Sequence, residues 1–175
     1  MADVWVTSDS HFGHHNIVHK FDPPRPFDDV SHMNETLVEN WNKEVKPGDK
    51  VYHLGDVFFG EKEAFQKLWP RLNGKKRLIV GNHDDIAWLS KGAFFEKVML
   101  WRWFDNLLFT HVPTHPSSLK EGRGGSLQTV NVHGHTHFKG SPVGPYRSVC
   151  VELTNYTPVH VETLKAEARK MTYDD

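Results

Sequence analysis

A chain of 175 residues with 38% hydrophobic and 25% charged residues has the proportions of one folded domain. A domain of that length buries roughly 70% of its unfolded surface. A formal net charge of -1 excludes a bulk basic field for nucleic acid, and the single cysteine, Cys150, excludes an internal disulfide framework. Thirteen histidines are the compositional outlier and direct attention to metal chemistry.

The elements alternate at the front of the chain and become mostly strands behind. Val4 to Thr7 reads as a short strand that releases Ser8, Asp9 and His11 into a loop. Ser31 is the expected N-cap of a helix running to Val45, with Met33, Leu37, Val38 and Trp41 at helical spacing. Pro47-Gly48-Asp49 breaks that helix and turns the chain into a strand from Lys50 to Leu54. Glu61 to Leu72 reads as a second helix, with Gly74 just past its end, and Arg77 to Val80 as a third strand. Two consecutive crossovers of this kind make the three strands parallel. Lys97 to Trp103 and Asn106 to Thr110 read as a hairpin about Asp105-Asn106. Thr129 to Val132, Tyr146 to Leu153 and Thr157 to Val161 continue as strands, with Cys150 in the core, and Glu162 to Lys170 closes as an amphipathic helix. The glycine-rich stretch from Lys120 to Ser126 reads as a flexible loop tip. No apolar run approaches the roughly 18 residues of a membrane helix, and Met1 to Trp5 lacks the character of a signal peptide. The expected location is cytoplasmic.

Five segments that follow strand-like runs end in metal-seeking residues. They are Asp9-Ser10-His11, Gly55-Asp56, Gly81-Asn82-His83-Asp84, His111 and Gly134-His135-Thr136-His137. Read singly, each is an ordinary polar turn that satisfies its own backbone. Read together, they are loops that a sheet gathers at the carboxyl ends of its strands. Two carboxylates, one amide and four imidazoles without thiolate suit two borderline divalent cations, Mn²⁺ by preference, with Fe²⁺ or Zn²⁺ as alternatives. Two such ions about 3.5–4 Å apart neutralise a phosphoester, hold a bridging water as hydroxide and stabilise the leaving oxygen.

In their order these segments resemble the calcineurin-like metallophosphoesterase superfamily, across nearly the whole chain. The resemblance implies an α/β, four-layer αββα sandwich of two mixed sheets packed face to face with helices outside, formed by residues 1–175 as one domain. It implies that Asp9, His11, Asp56 and His137 hold one metal, and that Asp56, Asn82, His111 and His135 hold the other, with Asp56 bridging. His83 then contacts phosphate and helps protonate the leaving oxygen, positioned by Asp84, and Asn82 also borders the substrate. The opening Asp9-Ser10-His11-Phe12-Gly13-His14, with Arg25-Pro26-Phe27, resembles a small bacterial and phage branch of the superfamily.

Outside the motifs the readings divide. His14 either faces the site as a substrate contact or is a solvated loop histidine. Arg25 either offers a planar fork to a phosphate or is a surface arginine beside prolines. His133 reads as a supporting partner of a ligand, His53 as packed beneath the site, and Lys120 and Arg123 as residues of a loop that covers substrate or stands clear of it. Three functions are carried forward. The first is a phosphoesterase acting on a small exposed substrate, phosphodiester-capable because no inserted cap encloses a metabolite. The second is a nuclease using the same site, supported only by Lys75-Lys76-Arg77 and the loop cations. The third is a scaffold of the same fold that has lost catalysis, against which the complete ligand set argues.

Overall fold

Period-two alternation inside short strands decides which side chains face which layer. In the computed structural model, which describes residues 2–119 and 129–171, β1 is Val4–Thr7, β2 is Lys50–His53, β3 is Lys75–Ile79 and β4 is Lys97–Met99. These four strands are parallel, and β9, Val159–His160, joins antiparallel at the β1 edge, giving the order β4-β3-β2-β1-β9. A second sheet has the order β5-β6-β7-β8, from Arg102–Phe104, Leu107–Phe109, Val130–His133 and Tyr146–Ser148. Only the β5–β6 pair in it is antiparallel.

The alternation sorts the core. Val51 and Leu78 face the helices, whereas Val6, Tyr52 and Ile79 meet Leu107, Phe109, Val130 and Val132 of the second sheet. Helical cover is uneven. The outer face of the first sheet carries α1 (His15–His19), α2 (Val30–Glu44), α3 (Lys62–Leu68) and α4 (Ile86–Lys91), anchored by Ile17, Met33, Leu37, Trp41, Phe65 and Leu89. α5, Val161–Ala168, instead adds Val161, Leu164 and Ala168 to the core shared by the two sheets. Among the described residues, the outer face of the second sheet carries only the 3-10 turn Pro116–Leu119, through Leu119 against Leu108 and Tyr146.

Several local expectations are corrected. α2 begins one residue before Ser31, and its N-cap is Asp29, whose carboxylate accepts from His32 N–H at 2.8 Å. The second helix narrows at Trp69-Pro70-Arg71 into a 3-10 turn, because Pro70 has no N–H to continue the α-helical ladder. The run from Lys97 to Trp103 does not enter one hairpin: Lys97–Met99 pairs with β3, and only Arg102–Phe104 pairs back onto β6. Tyr146 to Leu153 breaks after Ser148, and Val151–Leu153 forms a 3-10 turn. The short helices α1 and α4 were not expected. The stretch holding Lys120 and Arg123 lies outside the described residues. No helix among the described residues is long and apolar enough to cross a membrane.

Candidate metal centre

Every ligand-bearing segment leaves the carboxyl end of a strand, but the strands belong to both sheets. Asp9, Asp56 and Asn82 follow β1, β2 and β3 of the first, while His111 and His135 follow β6 and β7 of the second. The centre therefore lies where the two sheets meet at one edge.

The loops that hold it bond to one another. Asp9 N–H donates to Gly55 O at 3.0 Å, His11 N–H to Asp56 O at 3.1 Å, and His135 N–H to Asp9 Oδ2 at 2.9 Å. Among the described residues, five of the nine non-glycine residues with positive φ are candidate ligands: Asp9, His11, Asp56, His135 and His137. A left-handed backbone at such residues is unfavourable unless its surroundings enforce it, and its concentration here marks a site built for more than folding. Gly81 and Gly134 are required by close approach. A Cβ at Gly81 would collide with Asp56, and one at Gly134 would collide with Ser8 and Asp9.

Two triads of donor atoms result, Asp9–His11–His137 and Asp56–His111–His135, each drawn within 4.8 Å. Asp56 Oδ2 lies 3.6 Å from His11 Nε2 and 3.4 Å from His111 Nε2, so one carboxylate oxygen faces both groups. Asn82 Oδ1 joins the second group, 2.8 Å from His111 Nε2 and 2.9 Å from His135 Nδ1. Asp9 Oδ1 and His11 Nε2 are buried without any hydrogen-bond partner. Buried polar atoms left so are rare and costly, and two that point into one carboxylate–imidazole cluster fit a divalent cation between them.

The other nitrogen of three imidazoles is engaged, which fixes ring orientation and leaves the free nitrogen facing the centre. His111 Nδ1–H donates to Leu54 O at 2.7 Å, His137 Nδ1–H to Glu152 Oε1 at 2.7 Å, and His11 Nδ1 pairs with His14 Nδ1 at 3.3 Å. Beneath the site, His53 Nδ1 accepts from Gly55 N–H, its Nε2–H reaches Ser10 Oγ at 2.9 Å, and Ser10 donates on to Val57 O. Burial holds His53 neutral, with its pKa lowered to about 3.

Charge is arranged to favour cations. Burial raises Asp9 and works against ionised Asp56, but bonds from His111 and from His83 N–H outweigh it and hold Asp56 well below the usual carboxylate range. Burial lowers His11 strongly. It also opposes protonation of His111 and His137, yet Asp56 and Asp9 at the former, and Glu152 at the latter, leave both raised. Each triad thus contains one histidine whose proton competes with metal. As pH falls through their raised values, which lie above the ordinary histidine value of 6.5, protonation should therefore begin to release metal from both groups. The metal-free protein should also lose stability on acidification. The two raised histidines contribute stability below 6.5 that is lost as pH rises through their folded values, but His11, His14, His53, His133 and His135, lowered chiefly by burial, cost stability as pH falls below 6.5 and outnumber them. Metal content and thermal midpoints across pH 5–8 check both, and full metal retention at pH 5 or a metal-free midpoint that rises on acidification would refute the assignment.

Two sequence expectations are corrected here. Arg25 does not reach substrate: its side chain is fully enclosed and bonds Glu152 Oε1, Asp9 O and Ser10 O at 2.6–2.9 Å. Asp84 does not position the His83 ring. Its oxygens accept from Gly81, Asp56 and Val57 N–H at 2.7–3.1 Å, so it ties the β3 loop to the β2 loop. His83 is exposed, its ring 6.0 Å from that of His11 and 5.6 Å edge-on to Phe59. His14 is buried, stacked on Phe59 at 4.4 Å, with its pKa lowered by burial to about 4. His133 bonds Gly134 O and Ser141 Oγ, bracing the loop behind His135. Cys150 is core, as expected, but also lies 3.3 Å from Asp9 Oδ2.

Glu152 and Phe59 escaped sequence reasoning. The signal for Glu152 was a lone carboxylate inside the apolar run Val149-Cys150-Val151-Glu152-Leu153.

Comparison with known proteins agrees with this geometry. The calcineurin-like phosphoesterase family model matches residues 2–166. The chain is 32% identical to the uncharacterised protein MJ1445 of Methanocaldococcus jannaschii, over 94% of this chain and 90% of that one. It is 29% identical to the Gene 66 protein of Mycobacterium phage D29, over 92% and 87%. In fold it is similar to the protein of unknown function AQ665 from Aquifex aeolicus, with a TM-score of 0.72 at 24% identity, over 95% of this chain and 100% of that one. The chain belongs to the calcineurin-like phosphoesterase family.

Proposed function

We propose that the chain is a dinuclear-metal phosphoesterase, phosphodiester-capable, acting on small exposed substrates with Mn²⁺ as the favoured ion. The observation that carries this reading is Asp56 Oδ2, at 3.6 and 3.4 Å from one histidine of each triad. Asp9, His11, Asp56 and His137 would hold one ion, and Asp56, Asn82, His111 and His135 the other. When bound, two divalent ions supply Lewis-acid neutralisation of the phosphoester and a hydrolytic nucleophile at neutral pH.

The chain's own residues supply the rest. Asn82 and His83 are exposed at the mouth of the centre, where a phosphoester can reach them. His83 delivers a proton to the departing oxygen, and its own N–H, donating to Asp56 Oδ1 at 2.9 Å, steadies the bridging carboxylate. His14 orients His11 and reaches substrate only at its edge. A nuclease reading has less support, since the formal net charge is -1.

Metal-saturated protein should approach two ions per chain, and Asp56→Asn should lower occupancy at both positions. Elemental analysis after desalting reads this directly. A firm stoichiometry of one ion in saturating metal would sink the dinuclear reading.

A further inference from the structure

Because β4 runs parallel to β3, with Ile79 paired to Met99, the chain leaves β4 at the edge where β3 delivers Asn82. β5, antiparallel to β6, then begins at the edge where β6 delivers His111. Leu100 and Trp101 therefore cross from one sheet to the other beside the metal centre. They border a groove of about 610 Å³ whose walls include Asn82, His111, Trp101, Trp103, Leu108 and Val112. That volume suits a small organic group. The groove lies on the outer face of the second sheet, the face on which the described residues place no α-helix.

Trp101 differs from four of the other indoles in this chain, while Trp103, which shares its lack of a ring contact and a bonded N–H among the described residues, is only half-exposed and packs against Leu108, Leu119 and Tyr146. Trp5, Trp41 and Trp69 donate their N–H to Asp49, Asn73 and Phe94, and with Trp88 they make ring contacts. Trp101 is 59% exposed and, among the described residues, has neither a ring contact nor a bonded N–H. Leu100 is 66% exposed and Val112 46%. An exposed indole with a free π-face, in a groove that ends at two candidate ligands, is a stacking platform within reach of a bound phosphoryl group.

We propose that this groove seats a planar aromatic substituent, aryl or nucleobase, carried by the phosphoester substrate, with Trp101 as the stacking residue. The proposal rests on the phosphoesterase reading above. It assigns specificity to a surface outside the metal ligands and needs no basic field, in keeping with the near-neutral chain.

The test titrates Mn²⁺-loaded protein with phenylphosphonate, a thymidine 5′-phosphonate, ethylphosphonate and dodecylphosphonate. Tryptophan fluorescence and inhibition of bis(p-nitrophenyl) phosphate hydrolysis are the two readouts. The ring-bearing probes should bind about tenfold or more tighter than the ethyl probe, within the range for a ring stacked on an aromatic side chain. Trp101→Ala should bring that ratio near one and abolish the quench, while Trp101→Phe keeps most of the preference. Tighter binding of the thymidine probe than the phenyl probe names a nucleobase as the occupant, and the reverse names a plain aryl group. Equal binding of ring and ethyl probes, a preference that survives in Trp101→Ala, or tightest binding of the dodecyl probe would overturn the proposal. Fluorescence-detected ring preference without any hydrolysis would leave it standing and overturn the phosphoesterase reading alone.

Discussion

His83→Ala should keep its metals and its fold while losing turnover by about 10²–10⁴-fold on esters with poor leaving groups, the usual contribution of general acid help. The geometry separates the two roles of this residue. Its backbone N–H holds Asp56 Oδ1, and alanine retains that donor, so the Asp56 carboxylate stays in place. What is lost is an exposed imidazole whose ring lies 6.0 Å from that of His11 and edge-on to Phe59. The defect should shrink for nitrophenyl esters, whose leaving groups need little protonation. Loss of a metal in the variant would make His83 a ligand. Full activity on poor leaving groups would remove it from the reaction. Because Asp84 is committed to three backbone N–H groups, Asp84→Asn should disturb stability and metal retention rather than reproduce the His83 defect.

Arg25→Met should destabilise the fold by about 3–5 kcal/mol, the range for removing one partner of a buried ion pair. For a protein of this size that corresponds to a thermal midpoint lower by roughly 6–20 °C. The guanidinium and the Glu152 carboxylate are both fully enclosed, 2.6 Å apart, so the variant leaves a buried carboxylate whose remaining side-chain partner among the described residues is His137. It also strips a donor from Asp9 O and Ser10 O, the carbonyls of the β1 loop. Metal affinity of the Asp9–His11–His137 group should fall in the same variant, because Glu152 orients His137 and the same loop carries Asp9 and His11. Thermal melting of metal-free protein, with metal titration alongside, measures both effects. An unchanged midpoint together with a raised KM would restore Arg25 to the substrate side.

Much of the centre was readable from residue types and order alone. Aspartate, asparagine and histidine at the ends of apolar runs have few reasons to recur five times, and strand ends on one edge of a sheet converge in space. Local chemistry also marked β1, β2 and β3, the body of α2 and the turn at Asp105-Asn106, since apolar spacing and turn residues act over short range. The errors lie where a choice depended on a distant partner. Whether Lys97 to Trp103 was one strand or two depended on which sheet each half could join, and a β-like run carries no label for its neighbour.

The sequence by itself determined the family of chemistry, since the donor set and its spacing are properties of the chain. Only the tertiary structure decided the work of individual charged groups. Arg25, Asp84 and Glu152 are polar letters that read equally as surface, substrate contact or support. Their roles follow from enclosure. Once Arg25 and Glu152 are shut away from water, each must find its partner inside, and the partner each finds lies 127 residues away along the chain. Burial of that kind is a property of packed layers, and no local pattern of residues encodes it.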